Sequence, residues 1–271
     1  MKFSVAMCVY HRDDPHAFMQ AFNSVTRQQT LRPDEVVIVV DGPIYGDLQD
    51  TINECAKNDY VKLIRLDENL GHASARQKSI EEASNDIIAI MDADDIALPN
   101  RFEKQIDYLM NNPGVAVLGG QISEFIDTPE NIIGYRVVPT EHCDIEKRLG
   151  SRCPFNQVSV MLLRSAVMAV GGYKDWYCNE DYYLWLRLAL AEYQFANLKE
   201  VLVNVRVGKE MYQRRGGWKY FKSEARLQGY MVSHNIISPI RYLYNVFGRF
   251  IIQVVLPNNI RSFVFQKLFR K

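Results

Sequence analysis

The sequence predicts an α/β protein built on a mixed central sheet flanked by helices, and three observations predict it. Continuous apolar runs of strand length, Phe3–Tyr10, Glu35–Val40 and Asp86–Met91, alternate with stretches of helical pattern through the first half. The runs are apolar at consecutive positions, as in strands covered on both faces, which points to parallel pairing. Two of them end in carboxylates, at Asp41 and at Asp92-Ala93-Asp94-Asp95, where open α/β sheets bind ligands.

The elements follow in order. After the first strand, Asp14-Pro15 supplies a cap and a first-turn proline for a helix running to about Gln28. Glu35–Val40 stops at the turn signal Asp41-Gly42-Pro43, and a helix near Asp47–Lys57 leads to a strand at Val61–Leu66. Asn69-Leu70-Gly71 opens a helix to about Ala83, before the strand that ends in the acidic cluster. Asn100–Asn111 reads as a helix between Pro99 and Asn112-Pro113-Gly114. Val115–Ile126 reads as a long strand and Ile132–Val138 as its partner in a more antiparallel region. Glu141–Leu149 and Arg164–Val170 read as short helices, Glu180–Ala191 as a strong one, and Val201–Val207 as the last strand. With no repeat or linker in view, the second half is expected to build onto the first sheet.

At 271 residues the chain has room for one large α/β domain or two small ones. Five cysteines without a CxxC pair fit free thiols in a reducing compartment. The N-terminal apolar stretch is short and runs into His11-Arg12-Asp13-Asp14, a poor pattern for a signal peptide. The zero net charge hides a division. Residues 201–271 hold 13 Lys+Arg against Glu210 and Glu224, leaving 19 Lys+Arg and 30 Asp+Glu for the first 200. A nucleic-acid role is argued against by that acidic majority.

From about Lys219 the chain reads as helical to its end. Within 240–256, Arg241, Asn245, Gly248/Arg249 and Gln253 recur about every four positions, a narrow polar stripe on an otherwise apolar helix. Two arginines in its middle argue against a transmembrane span. An interfacial helix pair on the inner membrane face is one expectation. Packing on the rest of the chain, or homodimerisation, is the other.

Three constellations carry chemistry. Asp92 and Asp94 stand two apart on an extended segment and can face the same way, and like charges so placed call for a cation among them. A hard divalent ion holding a diphosphate is the simplest candidate; an acidic helix cap accounts for Asp95 alone. Asp41 can accept from a uracil N–H or a ribose hydroxyl, although an Asp-Gly-Pro turn explains the same residues locally. Arg76, about one turn into its helix, suits ribose or phosphate; His72 beside it could be a pocket residue, but a lone histidine near a helix start is more often structural. Asn179-Glu180-Asp181-Tyr182 follows a glycine- and aromatic-rich loop that suits a sugar-binding wall, and a carboxylate there can act as general base. Helix capping is the plainer account of Glu180 and Asp181.

Taken with Ser4–Tyr10 and Val40-Asp41-Gly42, these motifs over about residues 3–187 resemble a family 2 glycosyltransferase of the GT-A fold, of the bacterial O-antigen, capsule and exopolysaccharide type. The resemblance implies a catalytic domain over 1–215, with 1–120 binding the nucleotide sugar and 121–215 the acceptor, and a basic, aromatic helical extension over 216–271. It implies that Asp41 binds uracil, that Cys8 and Tyr10 line the base, and that Arg76 contacts the nucleotide. Asp92, Ala93 and Asp94 fall among the donor-binding residues, with Asp94 the main ligand, Asp92 beside it, of a Mn²⁺ or Mg²⁺ ion bridging the UDP phosphates. Cys8 stands where the family often has Thr or Ser. Asp181 would be the base of an inverting displacement, with Glu180, Trp176 and Tyr182 shaping the acceptor site. Read from the residues themselves, Arg206, Arg214 and Arg215, with Gly216-Gly217 beside them, are either a clamp that closes over the diphosphate or a basic surface turn. The implied reaction moves Glc or Gal from a UDP-sugar to GlcNAc or GalNAc on a lipid diphosphate, in a β-linkage with β1,3 favoured. The implied location is cytoplasmic, peripheral on the inner membrane face. The alternatives are a sugar-nucleotide pyrophosphorylase, whose glycine- and lysine-rich first loop Ser4–Arg12 lacks, and a binding protein without transferase activity.

Overall fold

The computed structural model describes residues 1–208 and 216–256. The first half folds as the alternation predicts: β1 (Phe3–Val9), α1 (Pro15–Val25), β2 (Glu35–Val40), α2 (Asp47–Cys55), β3 (Val61–Arg65), α3 (His72–Glu82) and β4 (Ile87–Met91). Helix α1 starts where Asp14 accepts the Ala17 N–H with Pro15 behind it. It ends before the expected Gln28, because Thr26 turns its hydroxyl back onto the Phe22 carbonyl. Every residue of β4, and all of β2 after Glu35, is buried. That burial on both faces is why these strands carry no alternation.

The two-residue β5 (Ile96–Ala97) follows the acidic cluster, before α4 (Arg101–Asn111). The second half adds β6 (Val115–Phe125), β7 (Ile132–Arg136), α5 (His142–Leu149), β8 (Met161–Leu163), α6 (Arg164–Ala169), α7 (Glu180–Leu190) and β9 (Gln194–Arg206). Together the strands form a nine-stranded sheet of order β3-β2-β1-β4-β8-β6-β9-β5, with β7 on β6. β3, β2, β1 and β4 run parallel, whereas β8 pairs antiparallel with both β4 and β6. The sheet is therefore mixed, and the second half does extend the first. β5 and β8 are too short to leave a pattern in the sequence.

Side chains on the two sheet faces form two cores. Phe3, Phe18, Phe22, Ile38 and Phe102 pack on one face, and Val37, Ile88, Phe155, Trp185 and Phe195 on the other. Chain order reverses between β1 and β4, since β2 and β3 lie on one side of β1 and β4 on the other. The crevice beyond the carboxyl ends of strands at such a reversal is where doubly wound sheets hold ligands.

The C-terminal segment forms α8 (Gly217–Ser233) and α9 (Pro239–Phe250), continued by a π-helical turn at Ile251–Val255. Past the exposed Arg241, the expected polar stripe of α9 turns inward: Asn245 donates to the Gly150 carbonyl at 3.1 Å and the Gln228 side chain at 2.8 Å. Arg249 pairs with Glu224 and donates to the Ser151 carbonyl. The helical reading of 257–271 lies outside the described residues.

Candidate active site

The site assembles at the carboxyl ends of β1, β2 and β4. Asp41 is buried just past β2, and its two carboxylate oxygens accept the backbone N–H groups of Leu70 (2.7 Å) and Gly71 (3.1 Å). It thereby fixes the Asn69–Gly71 loop that opens α3, and lone pairs remain for a further donor. Gly42 makes this closeness possible, since it adopts φ +89° and a Cβ there would stand 2.7 Å from the Asn69 nitrogen. Cys8 is the penultimate residue of β1, and burial pushes its thiol up to about 12, so it offers no thiolate. Tyr10, just beyond, is partly exposed, its ring against His11.

Negative charge accumulates beside it. Asp95 is buried, and burial, then the charges of Asp94 and Asp92, raise it well above the usual carboxylate range. Asp13, whose carboxylate accepts the Tyr10 N–H at 2.9 Å, is pushed up to about 7 by burial and then by the same two neighbours. The sequence reading missed Asp13, which sits in a loop without strand or helix periodicity. Behind the strand end, Arg101 is wholly buried and donates to the Ile90 carbonyl at 2.8 Å. The mouth thus carries more carboxylates than nearby cations, which suits a divalent ion bound by one or two carboxylates together with phosphates. Among the described residues no group of three or more His, Cys, Asp or Glu side chains is placed to hold a metal ion by itself.

A chain of contacts links this acidic strand end to the start of α7. Arg76, almost fully buried on α3, pairs with the Asp92 carboxylate at 2.6 Å. Burial opposes its charge, but Asp92 and the surrounding groups outweigh that and hold it firmly protonated. The same guanidinium nitrogen lies 2.7 Å from His72 Nε2. Since guanidinium only donates, Nε2 must accept, leaving the ring proton on Nδ1, which faces Glu180 Oε1 at 3.2 Å. His72 and Arg76 share one helix face at i and i+4, and this spacing was the signal available. The partner 108 positions away was not legible.

Glu180 and Asp181 open α7, and their environments diverge. For Glu180, burial works against the charge, yet the His72 hydrogen bond and the Arg76 charge win and lower its pKa. For Asp181, burial and then the Glu180 charge push the pKa up to about 6. Asp181 Oδ1 accepts the N–H of Tyr182 at 2.7 Å. The charges of Arg76 and Arg136 oppose that rise, and the Cys153 thiol lies against Oδ2; the sequence reading did not single out Cys153 or Arg136.

Some expected site residues are placed elsewhere. The ring of Trp176 is buried, not part of an open sugar-binding wall: its N–H donates to the Ser223 carbonyl and Arg226 covers its face at 4.1 Å. Burying so large an aromatic with its N–H satisfied is the favourable arrangement, and Tyr177 is the exposed aromatic of that loop. Tyr182 is likewise buried, its hydroxyl donating to the Leu149 carbonyl. Arg206 is not a free clamp. Its guanidinium donates to the carbonyls of Asp94 and Asp127 and to Gln20, while its backbone N–H binds Asp95 Oδ1 at 2.8 Å. It ties β9 to the acidic turn. Arg214 and Arg215 lie outside the described residues. Ala93 is buried within the acidic turn.

Comparison with known proteins bears on this geometry. Residues 4–172 match the family model of glycosyl transferase family 2. An uncharacterized glycosyltransferase of Haemophilus influenzae is 40% identical over 84% of each chain. An amylovoran biosynthesis glycosyltransferase of Erwinia amylovora is 36% identical over 83% of this chain and 84% of its own. A UDP-Gal:α-D-GlcNAc-diphosphoundecaprenol β-1,3-galactosyltransferase of Escherichia coli is 33% identical over 100% of this chain and 97% of its own. Among solved structures, S. aureus TarS 1-349 in complex with UDP superposes with a TM-score of 0.65 at 15% identity, covering 98% of this chain and 75% of that one. The mannosyltransferase PcManGT of Pyrobaculum calidifontis, with GDP-Man and Mn²⁺, superposes at 0.65 and 14% identity, covering 96% and 71%. At such identities these structures speak for the shared GT-A fold.

Proposed function

The chain belongs to glycosyl transferase family 2, and on that footing we propose that it is an inverting UDP-hexose transferase of bacterial surface-polysaccharide synthesis. The donor sugar is Gal or Glc. The acceptor is a hydroxyl of GlcNAc or GalNAc on a lipid diphosphate, and the product a β-linkage, β1,3 by preference. The full-length similarity to the E. coli β-1,3-galactosyltransferase supports this choice of substrates. In this reading residues 1–215 are the catalytic domain, working on the cytoplasmic side of the membrane.

The observation that carries the proposal is the contact chain Asp92–Arg76–His72–Glu180, which joins a nucleotide-type strand end to a helix start bearing a tuned carboxylate. UDP lies in the crevice with uracil toward Asp41, Cys8 and Tyr10. Asp94 and Asp92 would hold Mn²⁺ or Mg²⁺, and the excess of carboxylates at the mouth fits such an ion. When bound, the ion supplies positive charge against the departing diphosphate. Arg76 supplies fixed positive charge at the same end. Asp181 takes the proton of the acceptor hydroxyl as that oxygen attacks C1 from the face opposite the leaving UDP. One carboxylate and no protein nucleophile give inversion. Glu180, held by His72, keeps its charge and raises the basicity of Asp181.

The test is UDP release from UDP-Gal and UDP-Glc with GlcNAc-diphospholipid, with and without Mn²⁺, for the wild type, Asp94→Ala and Asp181→Ala. Both variants should lose transfer. Undiminished turnover in both would sink the mechanism.

A further inference from the structure

We infer that the outer face of α8 and α9 docks on an anionic phospholipid bilayer and turns the acceptor side of the site toward it. The first part stands on the surface alone, whereas the second rests on the lipid-borne acceptor proposed above.

Helix α9 packs inside out. Asn245 is 7% exposed, while Ile240, Leu243, Tyr244 and Phe247 are 82%, 66%, 77% and 66% exposed. These four recur at i, i+3, i+4 and i+7, and Ile251 and Val255 continue the same stripe. The inward orientation is set by hydrogen bonds. Asn245 and Arg249 satisfy the Gly150 and Ser151 carbonyls just past the end of α5, which the helix itself leaves without partners. The apolar side is thereby held outward. Exposed Trp218 stacks with Phe221 and Phe250, carrying the patch onto α8. A contiguous apolar surface of this kind marks a docking site.

Charge selects the occupant. Lys219, Lys222, Arg226 and Arg241 are exposed on the two helices. The acid of this segment, Glu224, is buried and paired with Arg249. A two-fold contact with a second copy would set these cations against one another. An apolar stripe with Trp and Tyr, fringed by Lys and Arg, matches the boundary between acyl chains and anionic headgroups. No helix among the described residues is long and apolar enough to cross a membrane, so the contact lies in the interfacial plane.

The same helices reach the acceptor side. Lys219 Nζ lies 4.1 Å from the Tyr177 ring centre. Ser223 accepts from the side chain of Asn179, the residue directly before Glu180 and Asp181. A sugar rising from the bilayer beside α8 therefore meets the end of α7 that carries Asp181.

The test is co-sedimentation of the full chain with vesicles of phosphatidylcholine alone or mixed equally with phosphatidylglycerol. The wild type should bind the mixed vesicles, less as salt rises, and the neutral ones weakly. The pair Leu243→Ser and Phe247→Ser should lower binding about tenfold or more, and Lys222→Glu with Arg241→Glu should remove the preference for anionic lipid. UDP release to water from UDP-Gal, together with thermal unfolding, reports whether each variant is folded. Binding unchanged by both pairs, or absent in the wild type, would overturn the proposal. So would a lipid-free dimer dispersed by the Leu243/Phe247 pair, which would assign the face to a second copy. If vesicles bind and transfer to the lipid acceptor fails, only the acceptor reading falls.

Discussion

Replacing Asp181 by Asn should destroy transfer and make the protein more stable, and the two effects have one cause. The carboxyl is half-buried beside an ionised Glu180, and burial first, then that charge, lifts its pKa from 3.8 to about 6. A carboxyl raised in the fold binds its proton more tightly there than in the unfolded chain. Its favourable contribution is complete below the unfolded pKa and disappears as pH climbs through the folded one. Roughly two units at 1.36 kcal/mol each make the ionised form cost about 2–3 kcal/mol of stability above pH 7. Asn keeps an oxygen for the Tyr182 N–H and carries no charge, so the variant should escape that cost. The expected gain is about 5 °C in melting temperature at pH 8, for a chain of this size, and almost nothing near pH 4. Transfer should fall by about 10²–10⁴, as for loss of a general base. Wild-type kcat/KM should decline as pH falls through about 6, because the base must be unprotonated. Scanning calorimetry at both pH values and a donor-turnover assay measure these quantities. A variant less stable than wild type at pH 8, or a gain that ignores pH, would refute the electrostatic argument. Turnover within tenfold of wild type would refute the base.

Other changes probe the rest of the site. Asp94→Asn should abolish the increment that Mn²⁺ adds to UDP affinity, leaving metal-free UDP binding within a few-fold; isothermal titration with and without the ion separates the two. His72→Ala removes a link between charged groups worth about 1.5–3 kcal/mol. It should lower kcat by about tenfold or more with little change in UDP affinity, and shift the acid limb of the pH profile as Glu180 loses its partner. Gly42→Ala puts a methyl 2.7 Å from the Asn69 nitrogen at a positive φ, which should cost at least about 2 kcal/mol in unfolding free energy and weaken UDP binding through displacement of Asn69–Gly71.

What the sequence made legible follows from which forces act locally. Runs such as Val36–Val40 and Ile87–Met91 can be buried on both faces in few ways, so the parallel half of the sheet was readable. β5 and β8 hold two and three residues, too few to express a period, and Lys199-Glu200 hid the first part of β9. Strand-end acids betrayed themselves because so much like charge at an apolar terminus has few other uses. Trp176 and Tyr182 misled because aromatic content does not say which way a ring faces. That choice was made by Ser223 and Leu149, distant carbonyls in need of donors. The stripe on α9 was visible, but periodicity gives the width of a face and not its direction. Gly150 and Ser151 decided that.

The assignment of roles within Glu180-Asp181 shows how much the surroundings, not the residue types, determine chemistry. Both are carboxylates in the first turn of one helix, where the dipole favours negative charge alike. Glu180 has an oxygen committed to His72, and through His72 it senses Arg76, so its proton affinity is lowered. A group so stabilised in its charged form is a poor proton acceptor. At the half-buried Asp181, burial and that fixed charge outweigh the opposing charges of Arg76 and Arg136, and its affinity is raised. Two neighbouring groups driven apart in this way divide acid–base labour. In the proposed mechanism the residue beside Asp181 would act as the fixed negative charge that keeps it basic. Arg76 serves both halves, neutralising Asp92 at the donor end and, through His72, holding Glu180 ionised at the other.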